Sequence, residues 1–507
     1  MSYIAAFDIG TTNIKGVLVD RNAKLHHELN LPLETLSLSD GYVEQLPSEW
    51  YAAVVHMART WFDSGVDPAM IRCISFSGQM QDMIPIGGDY TPVRPAILYS
   101  DSRGGSQAGR ILERIGEEEI ERVTGNHMDG MLSFPKILWM YEHEPALYEA
   151  THRILISSKD YVIARLTGQW VTDPTAAATA GCMNIVDRIW EAAWFEQFGL
   201  DAAKMPAIRA SDEIVGAVHA EAASETGFAE GTPVLCGIGD AGSATLGAGV
   251  YQDGDVYVYL GTSGWMATVS EQFTNVKNGV FNLSYVEAGK FISIAPVTNA
   301  GSAYSFAMRT FGEQTFHSED GSEPYEAFER QIDGVERGGQ SRLLFLPYLN
   351  GERCPVQDPE ASGMFIGLTT ASTKSQLAVS VLEGVAYALR QLMNFVVPEP
   401  GQSLKRLTLI GGGAKSAVWC QIIADILQCQ VIAPSQSQYL PTIGTALLGF
   451  GHMGWGQDYR ELCDQIMQDQ QLTEYVPNEQ LASYYEEQYN IYVQLYDRLA
   501  PIYRQMR

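Results

Sequence analysis

The 507-residue chain is 46% hydrophobic and 10% aromatic, enough to build large buried cores and to divide into two or more domains of an ordinary soluble globular protein. Its formal net charge of -27 argues against nucleic acid or an anionic membrane as partner; were the ligand a nucleotide, its phosphates would have to be held locally, by backbone amides, hydroxyls, Mg²⁺ and single cations such as Lys15. Seven scattered cysteines without Cys-x-x-Cys spacing, no run near the ~18 apolar residues of a membrane span, and Asp8 interrupting the early hydrophobic stretch predict reduced thiols in a cytoplasmic protein without a secretory signal.

In IAAFDIGTTNIKGVLVD, from Ile4, an apolar β-rich run enters a Gly-Thr turn and a second run leaves it. The pattern is a hairpin whose N–H groups can cradle phosphate oxygens, with Asp8 placed to hold a hydrated Mg²⁺. Alone, such a turn equally suits an ordinary hairpin corner. A second turn of the same kind, YVYLGTSGWMATV from Tyr257, recurs about half a chain later, and the pair implies one nucleotide cleft between two related domains.

After the turn Arg21-Asn22-Ala23, a helix is predicted from about Ser48 to Asp63 and a strand, IRCISFS, from Ile71. The adjacent His26-His27 pair reads as solvated strand surface rather than a metal site. SFSGQMQDM puts Met80 and Gln81 just past the strand, and LYSDSRGG puts Asp101 and Arg103 in a loop; amides, a carboxylate and a guanidinium suit the hydroxyls of a sugar or polyol. Helical patterns follow over Ser106 to Glu121, Lys136 to Tyr141 and Lys159 to Thr167, the last stopped by Gly168. Strands interleaved with helices indicate an α/β fold.

A new β-rich series opens near Thr232, and a domain boundary is placed near Val250, giving segments 1–249 and 250–507. CGIGDAGSATLGAG, from Cys236, formally matches a G-x-G-x-x-G dinucleotide fingerprint, but Asp240 would then face a pyrophosphate with its own negative charge. A carboxylate among glycines at a strand end serves better as a general base. Further on come the apolar run from Leu343, a helix over Lys374 to Val396, the strand RLTLI from Arg406, and helices after Lys415 and Ile443. LIGGGAKSAVW misses the P-loop pattern, and its glycines admit either a flat base against bare backbone or simply a tight connection. Tyr485, Tyr489, Tyr492, Tyr496 and Leu499 fall on one helix face, to pack on the second domain or, alternatively, to form a homodimer contact.

In order, IAAFDIGTTNIKG, SGQMQDM, AILYSDSRG, FPKILWMYEHEP, SSKDYVIARLTG, GIGDAG, YLGTSG, FLPYLNGERCPVQDPEASGMFIGL, LEGVAYALRQ and LIGGGAKSAVWCQIIADIL resemble the FGGY carbohydrate kinases, nearest to their xylulokinase-like branch. The resemblance implies two α/β domains of the actin and hexokinase (ribonuclease H-like) type closing over ATP. It assigns Asp8 to Mg²⁺, Thr11, Thr12, Lys15 and Thr262 to the phosphates, and Asp240 to catalysis as the base. Gly301, Gly412, Gly413 and Ser416 become nucleotide contacts, while Met80, Gln81, Asp101 and Met131 frame the sugar. Two departures leave the sugar open: Gln81 stands where xylulokinases usually carry His, and Ser102 where they usually carry Gly. Thr442 also lies near a place where the family often carries an acid. The expected activity is ATP-dependent phosphorylation of a small ketose or polyol; ribulose, erythrulose or gluconate are alternatives. A binding protein gated by ATP in an actin-like cleft, and a nicotinamide oxidoreductase using GIGDAG, are the readings from other classes.

Overall fold

The computed structural model describes residues 2–506 apart from 39–40, 274–275, 277–278, 313–323, 340–341, 398–403 and 457. The predicted first hairpin is β1 (Tyr3–Ile9) and β2 (Asn13–Val19), followed by β3 (Leu25–Pro32). Helix α1 (Pro47–Asp63) starts with proline in its first turn, where the missing N–H costs nothing, and buries Trp50, Val54, Met57 and Trp61 at helical spacing. It leads into β4 (Ile71–Gly78), which pairs parallel with β1. β1 is therefore an interior strand, which is why its sequence is almost uninterruptedly apolar.

Helices α2 (Gly105–Ile115), α3 (Glu117–Thr124), α4 (Ser133–His143), α5 (Ser158–Thr167) and α6 (Pro174–Ala178) follow. The single pattern predicted from Ser106 to Glu121 is two helices, because Gly116 takes φ 94°, a conformation glycine reaches freely and which ends the first helix. Strands β5 (Ile214–Ala217) and β6 (Pro233–Leu235) extend the sheet to the order β5-β6-β4-β1-β2-β3, with β7 (Ile238–Gly239) also pairing with β4. The run predicted from Thr232 is thus two short strands, broken by Gly237 at φ 72°. Helix α7 (Asp240–Gly247) begins directly at the end of β7.

The second sheet is built from β8 (Val256–Leu260), β9 (Gly264–Ser270), β10 (Phe281–Ser284), β11 (Phe291–Val297), β12 (Arg406–Ile410), β13 (Gln430–Pro434) and β14 (Leu472–Tyr475), in the order β10-β11-β9-β8-β12-β13-β14. Its hairpin β8–β9 pairs antiparallel with β11 on one side and parallel with β12 on the other. The first sheet has the same scheme: β1–β2 antiparallel to β3 on one side and parallel to β4 on the other. The repeat that shows in sequence only as two Gly-Thr turns is a repeat of whole sheets.

Helices of the second half include α8 (Gly301–Phe311), α9 (Pro324–Asp333), α10 (Lys374–Val396), α11 (Ala417–Leu427), α12 (Leu440–Leu447), α13 (Ala482–Tyr492) and α14 (Leu495–Tyr503). Tyr485 and Tyr492 are buried in the second sheet's core, with Tyr489, Tyr496 and Leu499 packed against it, so the tyrosine face is an intramolecular one. It is carried on two helices rather than one.

One hydrophobic cluster joins the sheets, drawing Ile4, Ala6 and Val17 from the first, Tyr257, Ala267 and Ile410 from the second, and Ala244, Leu440 and Ile443 from α7 and α12. These two helices touch backbone to backbone: a Cβ at Gly247 would sit 1.9 Å from the Leu440 carbonyl oxygen, and one at Gly444 2.0 Å from that of Ser243. Ser75 on β4 donates to the Thr445 carbonyl at 2.7 Å, tying α12 to the first sheet. The helix that begins with Asp240 is thereby wedged between both halves of the molecule. Thr442, flagged by the sequence, is fully buried on α12, and its hydroxyl has no hydrogen-bond partner among the described residues.

Candidate active site

Asp8 is the penultimate residue of β1, facing Lys15 across the hairpin and Ser77 across the parallel ladder to β4. Its Oδ1 is enclosed yet has no hydrogen-bond partner among the described residues. Burial raises its carboxyl above the ordinary value, against the pull of the Lys15 charge and the Ser77 hydroxyl. An enclosed carboxylate oxygen with no donor is a site a hydrated cation satisfies. Among the described residues no cluster of three or more His, Cys, Asp or Glu side chains is arranged to hold a metal. The enclosed Asp8 oxygen fits Mg²⁺, which keeps most of its waters and takes one carboxylate plus nucleotide phosphates.

The first turn is held from behind. The Thr11 hydroxyl donates to Gln79 Oε1 at 2.7 Å, Gln45 Nε2 donates to the Thr11 carbonyl at 2.7 Å, and Thr12 is left exposed. In the second turn Thr262 is likewise exposed, and its carbonyl accepts from Ser302 N–H at 2.9 Å. Gly301 N–H donates to the Gly261 carbonyl at 2.8 Å, and a Cβ on Gly301 would lie 2.3 Å from that same oxygen. Gly301→Ala is therefore expected to push the second turn outward, raising KM for ATP about ten- to a hundredfold, the scale of a misplacement of about 1 Å. Steady-state kinetics with ATP varied checks this; a KM within twofold of the parent would show the turn yields freely.

Asp240 opens α7, and its Oδ1 accepts the Ala241 N–H at 2.7 Å. Burial is the main cause that lifts its carboxyl to about 7; the Asp8 charge adds to the rise, the Ala241 N–H opposes it, and Asp173 adds a smaller push. The Ser243 hydroxyl donates to the Asp240 carbonyl at 2.9 Å and pairs with the Ser77 hydroxyl at 2.8 Å, linking the Asp240 helix to the strand beside Asp8. Met80 covers the peptide before Asp240: a Cβ on Gly239 would fall 2.0 Å from its sulfur.

Sequence reading missed what supports this loop. Asp173 caps α6, taking the Thr175 N–H at 2.9 Å, and also accepts the Gly239 N–H at 3.3 Å. The fully buried Lys159 lies 2.6 Å from Asp160 and 2.9 Å from Asp173. Burial works against its charge, and the two carboxylates outweigh it, so the ammonium is held above its ordinary value. Asp173-Pro174 is the signature of a capped helix start, which could have been read; that the same carboxylate reaches residue 239 could not.

Of the residues expected to frame the sugar, Gln81 takes φ 67°, and its side-chain amide has no hydrogen-bond partner among the described residues. Met131 is partly exposed, its N–H donating to Asp129 at 2.7 Å. Asp101 is fully buried and both its oxygens are engaged: Oδ1 by the Arg103 N–H and Nε at 2.9 Å each, Oδ2 by an Arg103 guanidinium nitrogen at 2.6 Å and the Val43 N–H at 2.7 Å. Burial would raise this carboxyl, but the arginine and the two amides outweigh it and hold it low. Arg103 also reaches Glu44 at 2.8 Å and lies 3.9 Å from the Tyr42 ring centroid.

Of the residues expected at the nucleotide, Gly411 takes φ 89°, a Cβ on Gly413 would strike Leu260 and Trp419 at 2.7 and 2.9 Å, and one on Gly412 would meet the Leu260 carbonyl oxygen only at 4.0 Å. Gly412 is thus the glycine with room for a ligand, and Gly413 is small for packing. The Ser416 hydroxyl caps α11 through the Trp419 N–H at 3.1 Å and donates to Glu329 at 2.7 Å; the Tyr304 hydroxyl donates to the same carboxylate. Lys15 Nζ donates to the Gln438 carbonyl at 2.9 Å and Lys415 Nζ to the Gln438 side chain at 2.7 Å, so one residue meets cations from both halves. No local pattern marks Glu329 or Gln438 in the sequence.

Residues 3–247 match the model of the FGGY family of carbohydrate kinases, N-terminal domain, and residues 256–453 that of the C-terminal domain. The chain is 30% identical to the xylulose kinase of Bacillus subtilis (strain 168) over 500 residues, covering 98% of this chain and 97% of the relative. It is 28% identical to the gluconokinase of the same organism over 470 residues, covering 92% and 90%. Among solved structures, a ligand-bound xylulose kinase from Lactobacillus acidophilus superposes with TM-score 0.88 at 26% identity, and a gluconate kinase from the same organism with TM-score 0.87 at 26%, each covering 100% of both chains. With two repeated sheets and a turn in each, the chain belongs to the FGGY family of carbohydrate kinases and is an ATP-dependent carbohydrate kinase.

Proposed function

We propose that this kinase phosphorylates a hydroxyl of a small ketose or related polyol, with xylulose the first candidate. The observation that carries the reading is Asp240, a partly accessible carboxyl raised to about 7 at the first residue of a helix. Such a group is ionised near neutral pH and basic enough to take a hydroxyl proton. As it does so, the substrate oxygen bonds to the γ-phosphorus, the bond to the bridging oxygen breaks, and ADP leaves. Thr11, Thr12, Thr262 and Lys15 serve the phosphates. Gly412 borders the adenosine with Gly413 packed behind it, Gly301 backs the second phosphate turn, and Ser416 acts from behind through Glu329. Met80, Gln81, Asp101 and Met131 frame the sugar, Asp101 by shaping its loop. Asp8 would hold Mg²⁺ through water, and that ion, when bound, offsets negative charge on the phosphoryl oxygens. On this reading 1–249 carries the sugar and the base, and 250–507 the adenosine.

Gluconate is the second reading, since similarity to the two kinase types is nearly equal. A carboxylate substrate asks for a free cation. Arg103 is committed to Asp101 and Glu44, which favours a neutral sugar. ADP release with MgATP across pentuloses, tetruloses, pentitols, hexuloses and aldonates decides: stimulation by a ketose or polyol is expected, stimulation by an aldonate alone establishes the second reading, and a silent panel with ATP bound sinks both in favour of an ATP-gated binding role.

A further inference from the structure

Lys136, on the first turn of α4, is fully buried. A buried ammonium is costly unless its donors are satisfied, and carboxylates are its usual partners. Here, among the described residues, no carboxylate lies within ion-pairing distance of Nζ; it donates instead to two backbone carbonyls, Gln81 at 3.1 Å and Leu98 at 2.7 Å. Those carbonyls belong to different loops, the first carrying Met80 and Gln81 and the second leading to Asp101.

The Gln81 carbonyl belongs to the one residue of its loop with φ in the left-handed region, at 67°, where a side chain crowds its own backbone. Such a conformation persists only when its surroundings over-determine it. The same helix turn also grips the next residue: the Ser133 hydroxyl donates to the Asp82 carbonyl at 2.7 Å. Asp82 is fixed on its other sides by its N–H to the Ile156 carbonyl at 3.0 Å and by the Tyr99 N–H on Oδ1 at 3.0 Å. Consecutive carbonyls, 81 and 82, are thus held from one turn of α4, and the loop of Asp101 is tied to the same ammonium.

We infer that Lys136 is a positioning residue for sugar recognition, holding Gln81 in the left-handed conformation and locking its loop to that of Asp101. The inference rests on the sugar-pocket reading above. Lys136 is too deeply enclosed to touch a substrate, so its contribution passes through Gln81.

The test uses the full-length protein and whichever sugar the panel selects, comparing K136M, K136R, Q81A and the double variant K136M/Q81A. K136M is expected to raise KM for the sugar at least tenfold, with kcat within threefold and KM for ATP unchanged. K136R, keeping a cation and donors, should fall between K136M and the parent. In the Q81A background K136M should cost less than threefold more, because the residue it positions is already gone. A sugar KM for K136M within threefold of the parent, full multiplication of the two single effects, a parallel rise in KM for ATP, or failure of both Lys136 variants to fold would each overturn the inference. If the parent itself responds to no sugar, it is the pocket reading that has failed, and the inference falls with it.

Discussion

Asp240→Asn is expected to lower kcat by about 10²–10⁴-fold, the usual weight of a general base, with KM for ATP within threefold of the parent. Asparagine has the same shape and its oxygen can still accept the Ala241 N–H, so α7 begins as before. What it loses is the capacity to accept a proton. The pH profile supplies a second readout. On the proposed mechanism Asp240 works ionised, and burial lifts its carboxyl from 3.8 to about 7, so log kcat/KM for the sugar should rise with unit slope up to about pH 7 and then level. Residual activity of the asparagine variant should lack that limb. Stability runs the other way. A carboxyl raised on folding favours the protonated folded state, so its ionisation costs stability progressively between pH 3.8 and about 7 and fully above that. The asparagine variant escapes this cost, and its Tm above pH 7 should not fall below the parent's. An inactive variant with a lowered Tm would point to damage rather than a lost base.

Local patterns make parts of this molecule legible in its amino-acid sequence. Helix α10 runs from Lys374 to Val396 as predicted, because Thr373 and Gln376 form a capping box that fixes its start. β12 covers Arg406–Ile410 as predicted from a short β-branched and leucine run. Asp240 stands at a strand end among glycines, and both Gly-Thr turns are hairpin corners with an exposed threonine. These features are decided within a few residues, which is the range a single sequence reports well.

Long-range partners are not legible in the same way. Asp101 offers itself as a sugar ligand because it sits in a loop, but Arg103 takes both its oxygens and is itself held by Glu44, more than fifty residues earlier. Ser416 offers a free hydroxyl beside the glycines, yet that hydroxyl belongs to Glu329, whose place beside it is set by the packing of α9 on α11. The break at Gly116 has a visible cause, a glycine, but helical glycines are common and only its positive φ separates a stop from a tolerated residue. The repeat of sheets leaves almost no trace because strand order and direction are encoded by apolar alternation that many sequences satisfy.

Asp8→Asn is expected to lower kcat by about 10²–10³-fold, the scale of removing one preorganised group aimed at developing charge, and to raise the Mg²⁺ concentration for half-maximal rate at least tenfold. The Asp8 oxygen that has no donor among the described residues makes the carboxylate expensive: burial raises it, against the pull of the Lys15 charge and the Ser77 hydroxyl. On the proposed reading a cation brought with the nucleotide would be the partner this oxygen lacks, and the burial cost of the carboxylate would be offset on binding. Asparagine keeps a neutral oxygen but no charge, and it cannot attract the ion to the same degree. Titrating Mg²⁺ at fixed ATP in the parent and the variant separates this role from a structural one. Lys15 has its own anchor at the Gln438 carbonyl, 2.9 Å away, so neutralising Asp8 should not release it, and the hairpin should keep its Tm. A variant that loses Tm but keeps the parent's Mg²⁺ dependence would assign Asp8 to the stability of the β1–β2 hairpin and leave the metal to the nucleotide alone.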